Sequence, residues 1–189
     1  ARSEFEDHGT FPREIYERSD RKRDTHVISL EASGTVRADG QESSVALSKR
    51  YRFKRNTVQA EYELSLSEGP AVERVFAPEL NFAFLSDAEH DLSLMATNGT
   101  ATEFTLSQGR QVVEGVTEVR MHDHVNKTLV TLSTNEPTDI WIIPVETVSN
   151  CEDGLETSYQ GTSIVPRFPV TLSEQAPHAL SLAIRLERA

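Results

Sequence analysis

From Thr25 onward the apolar residues recur at every second position, and that period decides most of what the chain can become. Between Asn56 and Leu66, the residues Val58, Ala60, Tyr62, Leu64 and Leu66 fall on one side, with Gln59, Glu61, Glu63 and Ser65 between them. Side chains two apart on a strand share a face, so this stretch is a strand with one buried face and one wet face. Leu180, Leu182, Ile184 and Leu186 repeat the pattern near the end. Val45, Leu47, Tyr51 and Phe53 repeat it earlier, with a slip expected near Lys49. Arg55-Asn56 between two such runs predicts a tight hairpin.

The remaining segments read the same way. His26–Ala32 is a first strand. Val72–Ser86 is a long strand interrupted by Pro78, which argues for a bend, bulge or edge. Asp87–Gly99 reads as a loop or short hairpin. Thr102–Leu106, Val112-Val113, Val116–His124, Thr128–Leu132, Asp139–Val148 and Tyr159–Leu172 complete the set. Ten or more strands and no amphipathic helix make an all-β chain, a large two-sheet antiparallel β-sandwich. Residues 1–25, with Phe5, Phe11, Ile15 and Tyr16 as apolar anchors, form a lead-in segment; residues 26–189 form a single β-sandwich domain.

Composition narrows the function. Lys+Arg number 19 against Asp+Glu 30, a net charge of −11 over 189 residues. Nucleic acid and anionic membrane both require a basic footprint, so neither is an expected partner. No apolar run approaches the ~18 residues that a membrane helix needs. A single cysteine, Cys151, cannot close an internal disulfide, and the charged start Ala1-Arg2-Ser3-Glu4 leads to no apolar h-region. The expected location is cytoplasmic. The start at Ala1 reads as a cut from something longer. Asn98-Gly99-Thr100 and Asn126-Lys127-Thr128 match the glycosylation pattern and read as chance occurrences.

The stretch Ile140–Gly161 holds the only tryptophan, Trp141, and the only cysteine. Its apolar start, Ile140-Trp141-Ile142-Ile143, predicts a central strand with both faces buried. Pro144-Val145-Glu146-Thr147-Val148-Ser149, the acidic Glu152-Asp153-Gly154 loop and Tyr159-Gln160-Gly161 follow. This run resembles the C-terminal β-sandwich of 4-α-glucanotransferases and related α-amylases of glycoside hydrolase family 57. Phe5-Glu6-Asp7-His8 and Pro78-Glu79-Leu80-Asn81-Phe82 extend the likeness over nearly the whole chain, while Asn150-Cys151 departs from the pattern. The resemblance implies a supersandwich similar to galactose mutarotase. It also implies a non-catalytic domain that packs on and stabilises an N-terminal catalytic barrel and contacts α-glucan. The catalytic motifs of such enzymes belong to the barrel and do not occur here, so no catalytic residue carries over.

Glycoside hydrolysis uses paired carboxylates, and Glu79, Glu146, Glu152, Asp153 and Glu156 are available. Glu79 and Glu146 sit inside apolar strands, where a carboxylate needs a partner, so a buried ion pair or a sheet-edge hydrogen bond to a nearby arginine is the preferred reading over a sugar-binding or catalytic acid. Asn150–Glu156, with no basic residue, is expected to meet basic or hydrogen-bonding groups of a preceding domain. Trp141, Tyr159, Tyr62 and Phe168 are aromatic rings that could stack on sugars. Trp141 reads first as core; Tyr159-Gln160 is the best placed for a carbohydrate or domain-interface contact. His122 and His124 point the same way and could face one metal, but no third ligand has a telling spacing. Cys151 lacks a nearby histidine and reads as a bystander. Neither a cofactor nor a metal is implied. Two alternatives stay open: a free-standing mutarotase-like enzyme with its own His and Glu pair, and a carbohydrate-binding module.

Overall fold

The structure is a computed structural model that describes residues 8–19, 26–98, 100–106, 109–151, 154–174 and 177–189, with only the backbone for Cys151. Its strands are β1 Glu17–Arg18, β2 Val27–Ala38, β3 Gln41–Lys54, β4 Thr57–Glu68, β5 Val72–Phe76, β6 Leu80–Phe82, β7 Leu92–Asn98, β8 Thr100–Phe104, β9 Gln111–Asp123, β10 Thr128–Cys151, β11 Gly154–Leu172 and β12 His178–Arg188. No α-helix occurs among the described residues, and none of their helices is long and apolar enough to cross a membrane. The chain divides into two compact units, 1–75 with 169–181, and 76–168 with 182–189.

In the first unit the strands run in the order β1-β2-β3-β4, each antiparallel to the next. Asp39 and Gly40, at φ of 52° and 77°, join β2 to β3 across the Ala38–Gln41 pair. Two positive φ angles in a two-residue loop suit the right-handed twist of a hairpin. Arg55-Asn56 joins β3 to β4 across Lys54–Thr57, as its sequence predicts. The alternating residues face inward: Val45, Leu47, Ala60, Tyr62 and Leu64 are all at most 4% exposed. Lys49 keeps its place opposite Tyr62, so the expected slip does not occur there. The chain instead holds register and lays the ammonium 3.8 Å from the centre of the Tyr16 ring. Burial lowers the pKa of that ammonium.

The described part of the lead-in segment is tied to β2. The Arg37 amide donates to the His8 carbonyl at 2.7 Å, and the Thr35 amide donates to Thr10 Oγ1 at 3.0 Å. Gly34 makes this closeness possible, since a Cβ there would lie 2.8 Å from Thr10 Oγ1 and 3.2 Å from the Phe11 ring.

The second unit is built on β10. Thr128–Thr134 pairs with β12 from Arg188 back to Leu182, whereas Asp139–Cys151 pairs with β11. The register to β9 breaks twice between these halves, at Ser133/Thr138 and Thr138/Ile140. A strand that changes partner at such a break can serve both layers of a sandwich. Val119, Met121, Leu132, Ile140, Ile142, Ile164 and Phe168 are fully buried here, each 0% exposed. β9 carries its own irregularity at Gly115, whose φ is +60°. The Gly115 amide donates to Asp139 Oδ1 at 3.0 Å. Asp139→Ala should orphan that amide and cost about 1–3 kcal/mol. Asp139→Asn keeps an acceptor and should cost less, as measured by urea denaturation.

Several boundaries differ from the sequence reading. Asp87–Gly99 is not all loop: Leu92, Leu94 and Ala96 are the buried face of β7. Val72–Ser86 is two short strands with Pro78 in the gap. Val112-Val113 and Val116–Asp123 are one strand, and Thr128–Leu132 continues into the Trp141 strand.

Candidate functional site

Alternation places Ile140 and Ile142 inward and Trp141 and Ile143 on the opposite face of β10. The inner pair is fully buried, whereas Trp141 and Ile143 are only half-buried. The expectation that both faces of this strand are buried is therefore not met. Trp141 lies between Val165 of β11 and Val112 of β9. In the next rung, Ile143 pairs with Ser163, which pairs with Asn81 of β6.

Two guanidiniums approach the indole. Arg167 lies 4.3 Å and Arg110 5.0 Å from the ring centre. Arg167 stands opposite Asp139 on the β11 side, and Arg110 precedes β9 on the other side. Each guanidinium is attracted by the negative face of the ring. Neither has a carboxylate at ion-pairing distance among the described residues. Beside them, Ser163 Oγ is buried without a hydrogen-bond partner. Asn81 Nδ2 donates to Glu79 Oε1 at 3.2 Å, on the far side of β11. Glu79 and Trp141 thus share one face, with Arg110, Arg167, Ser163 and Asn81 as members the sequence did not signal. The one available hint was a lone arginine in the apolar run Ile164-Val165-Pro166-Arg167-Phe168.

Glu146 and Tyr159 occupy the other face. Val145 pairs with Gly161 but Glu146 pairs with Tyr159, so Gln160 is the extra residue of a bulge. Tyr159 is half-buried and its hydroxyl sits 2.6 Å from Thr162 Oγ1. Burial raises its pKa, opposed by the Thr162 hydrogen bond and reinforced by Asp87 and Asp123. Gln160 is exposed, and its Nε2 donates to Thr147 Oγ1 at 3.2 Å. Glu79 and Glu146 are both exposed, so neither is half of a buried ion pair, the first of the two arrangements expected of them. Glu152 and Asp153 lie outside the described residues.

Gly161 makes the bulge fit. A Cβ there would lie 2.8 Å from the Phe82 carbonyl oxygen, which is backbone and has little freedom to move. Gly161→Ala should cost about 1–3 kcal/mol and loosen the β6–β11 pairing. Hydrogen exchange of the Phe82 and Thr162 amides would report that loosening.

The other candidates resolve as follows. Tyr62 and Phe168 are core residues, 4% and 0% exposed. The imidazoles of His122 and His124 do share a side, with ring centres 3.9 Å apart. His124 Nε2 is 3.0 Å from Ser93 Oγ. No group of three or more metal-ligating His, Cys, Asp or Glu residues occurs among the described residues. Asp123 between them is buried and accepts from the Asn126 amide at 2.8 Å and from Asn126 Nδ2 at 2.7 Å. Burial alone would raise its pKa, but the Asn126 and Val125 hydrogen bonds and His124 bring it below the usual value. A depressed folded pKa gives stability that is present above the unfolded value, about 3.9, and lost as pH falls through the folded one. Asp123→Ala should cost about 1.5–3 kcal/mol at pH 7 and flatten the acid limb of the stability curve below about pH 4.

In the first unit a groove of about 700 Å³ runs along the outer face. Two rungs cross it, Glu31-Ser48-Glu63 and Ser33-Ala46-Ser65. It offers hydroxyls and carboxylates, but no aromatic ring lines it.

Comparison with known proteins places these faces in context. The family model described as alpha-amylase/4-alpha-glucanotransferase, C-terminal, matches residues 1–182. Among solved structures, a 4-alpha-glucanotransferase from Thermococcus litoralis is similar at a TM-score of 0.70 and 18% identity. That match covers 98% of this chain and 24% of the Thermococcus chain, so this chain spans about a quarter of that relative's length. A galactose mutarotase-like protein from Lactobacillus casei has a TM-score of 0.65 at 11% identity, covering 91% of this chain and 73% of that one. At these identities the likeness shows the fold, a galactose mutarotase-like β-sandwich. No curated protein matches.

Proposed function

The chain belongs to the alpha-amylase/4-alpha-glucanotransferase C-terminal family, and on that premise we propose that it is the non-catalytic β-sandwich of a family 57 α-glucan-active enzyme. It packs on the catalytic barrel, stabilises it and helps shape the glucan groove. The parent reaction is cleavage or transfer of α-1,4-glucosyl units through a covalent glycosyl-enzyme. A cytoplasmic location belongs to this reading, supported by the single cysteine.

The observation that carries the non-catalytic role is the placement of the carboxylates. Glycosidases set two of them about 5–9.5 Å apart around one bond. Asn81, whose side chain donates to Glu79, shares a face with Ser163 and Ile143, whereas Glu146 lies on the opposite face of β10. Two groups so divided cannot flank one glycosidic oxygen. The test is to assay the polypeptide of the whole reading frame on maltooligosaccharides. Glucosyl transfer or hydrolysis is expected, with kcat unchanged in Glu146→Gln. A collapse of kcat in that variant would move the chemistry onto this chain.

The mutarotase-like alternative draws support from the 73% coverage of the Lactobacillus protein. It predicts that the chain alone speeds the anomerisation of a free aldose, which polarimetry would detect. Treating 26–189 as a single domain predicts one cooperative calorimetric transition. Two separated transitions would divide it.

A further inference from the structure

We infer that the Trp141 face of the second unit is the surface on which the catalytic part of the same polypeptide docks. The inference rests on the reading above, and it assigns that reading a surface and a partner chemistry. The face is continuous in the register: Val112, Trp141 and Val165 form one rung, Ile143 and Ser163 the next, and Val145 and Gly161 the one beyond. Val112 and Val145 are 45% and 41% exposed, and Trp141, Ile143 and Val165 are half-buried. Water therefore reaches a tryptophan and four aliphatic side chains in one place. Interface centres are rich in tryptophan and arginine, and this face supplies both.

Charge identifies the occupant. The chain carries a net charge of −11, yet here two guanidiniums lie 4.3 and 5.0 Å from the centre of one ring, without a carboxylate at ion-pairing distance among the described residues. The nearest carboxylate in register, Asp139, accepts from the Gly115 amide. Cation–π attraction to the ring uses none of a guanidinium's N–H donors, and that planar fork of donors matches a carboxylate in bidentate fashion. The complementary surface has an apolar centre flanked by aspartate or glutamate. The Thermococcus relative has about three quarters of its chain beyond the portion matched here, which is ample protein to provide one. The opposite face of the same hairpin exposes Val148 and Leu155, at 64% and 78%. Among the described residues, Glu146 and Tyr159 lie on that face and Asp87 and Asp123 act on Tyr159, none of which is a cation that would attract acidic residues.

The test places a photo-reactive residue, p-benzoylphenylalanine, in the full polypeptide at Val112, at Val145 and, for comparison, at Leu155. Variants that keep the unmodified protein's melting temperature are irradiated and mapped by mass spectrometry. Adducts are expected from positions 112 and 145 to a peptide outside residues 1–189 that contains Asp or Glu. They should be lost when Arg110→Ala and Arg167→Ala are combined. Two readable sites keep the result decisive if one variant misfolds. Adducts from Leu155 alone, or to residues 1–189 of a second copy, would overturn the inference. So would the absence of any adduct at 112 and 145 in a polypeptide that transfers glucosyl units. A mapped adduct in a polypeptide without α-glucan activity would uphold the docking surface and overturn the functional reading instead.

Discussion

Phe168→Ala should lower the unfolding free energy by about 3–5 kcal/mol, the range for emptying a fully buried aromatic site. Phe168 is 0% exposed and ends the stretch of β11 that belongs to the second unit. Its neighbour Arg167 is fixed from the other side, because Thr138 Oγ1 donates to the Arg167 carbonyl at 2.6 Å. That contact lies where β10 breaks register and changes partner, so the backbone around the cavity has little room to collapse. A cavity that cannot collapse takes the upper part of the range. Phe53, 41% exposed, is the comparison: Phe53→Ala should stay within about 0.5 kcal/mol, as surface changes do. Urea denaturation of both variants checks the pair, and similar losses would mean that Phe168 is not a core residue.

Ile142→Ala should cost about 2–5 kcal/mol, and more than Trp141→Ala. Side-chain size alone predicts the reverse order. The faces decide it: Ile142 is 0% exposed against Ile164, whereas Trp141 stands half-buried under two guanidiniums. Truncating Trp141 removes two cation–π contacts, each about 0.5–1 kcal/mol at an exposed site, and part of an apolar face, but leaves no sealed cavity. A loss at Trp141 equal to or above that at Ile142 would contradict the facing assigned here.

The same residues show why some of this was legible in the sequence and some was not. Val58 through Leu66 reads without ambiguity, because one face is wholly apolar and the other wholly polar. Ile140-Trp141-Ile142-Ile143 is apolar throughout, so its period cannot say which face meets the core. Lys49 mimics a slip because its charge breaks the apolar register while its position does not. Leu92, Leu94 and Ala96 do alternate, but Asp87, His90, Asp91 and Asn98-Gly99 around them read as punctuation. The two carboxylates are the deepest case. That Glu146 faces away from Asn81, which holds Glu79, depends on register, and a one-residue difference would reverse it. Local composition carries no record of the bulge at Gln160 or of the β6–β11 pairing. The family likeness, by contrast, was carried by Pro144 through Gly161 and needed no register at all.

The most direct measurement is the turnover of maltooligosaccharides by the 189-residue chain alone, followed by separation of the products by length. A non-catalytic β-sandwich should return the oligosaccharide unchanged, with no longer and no shorter chains. Products that form with this chain alone and vanish in Glu79→Gln or Glu146→Gln would contradict the account.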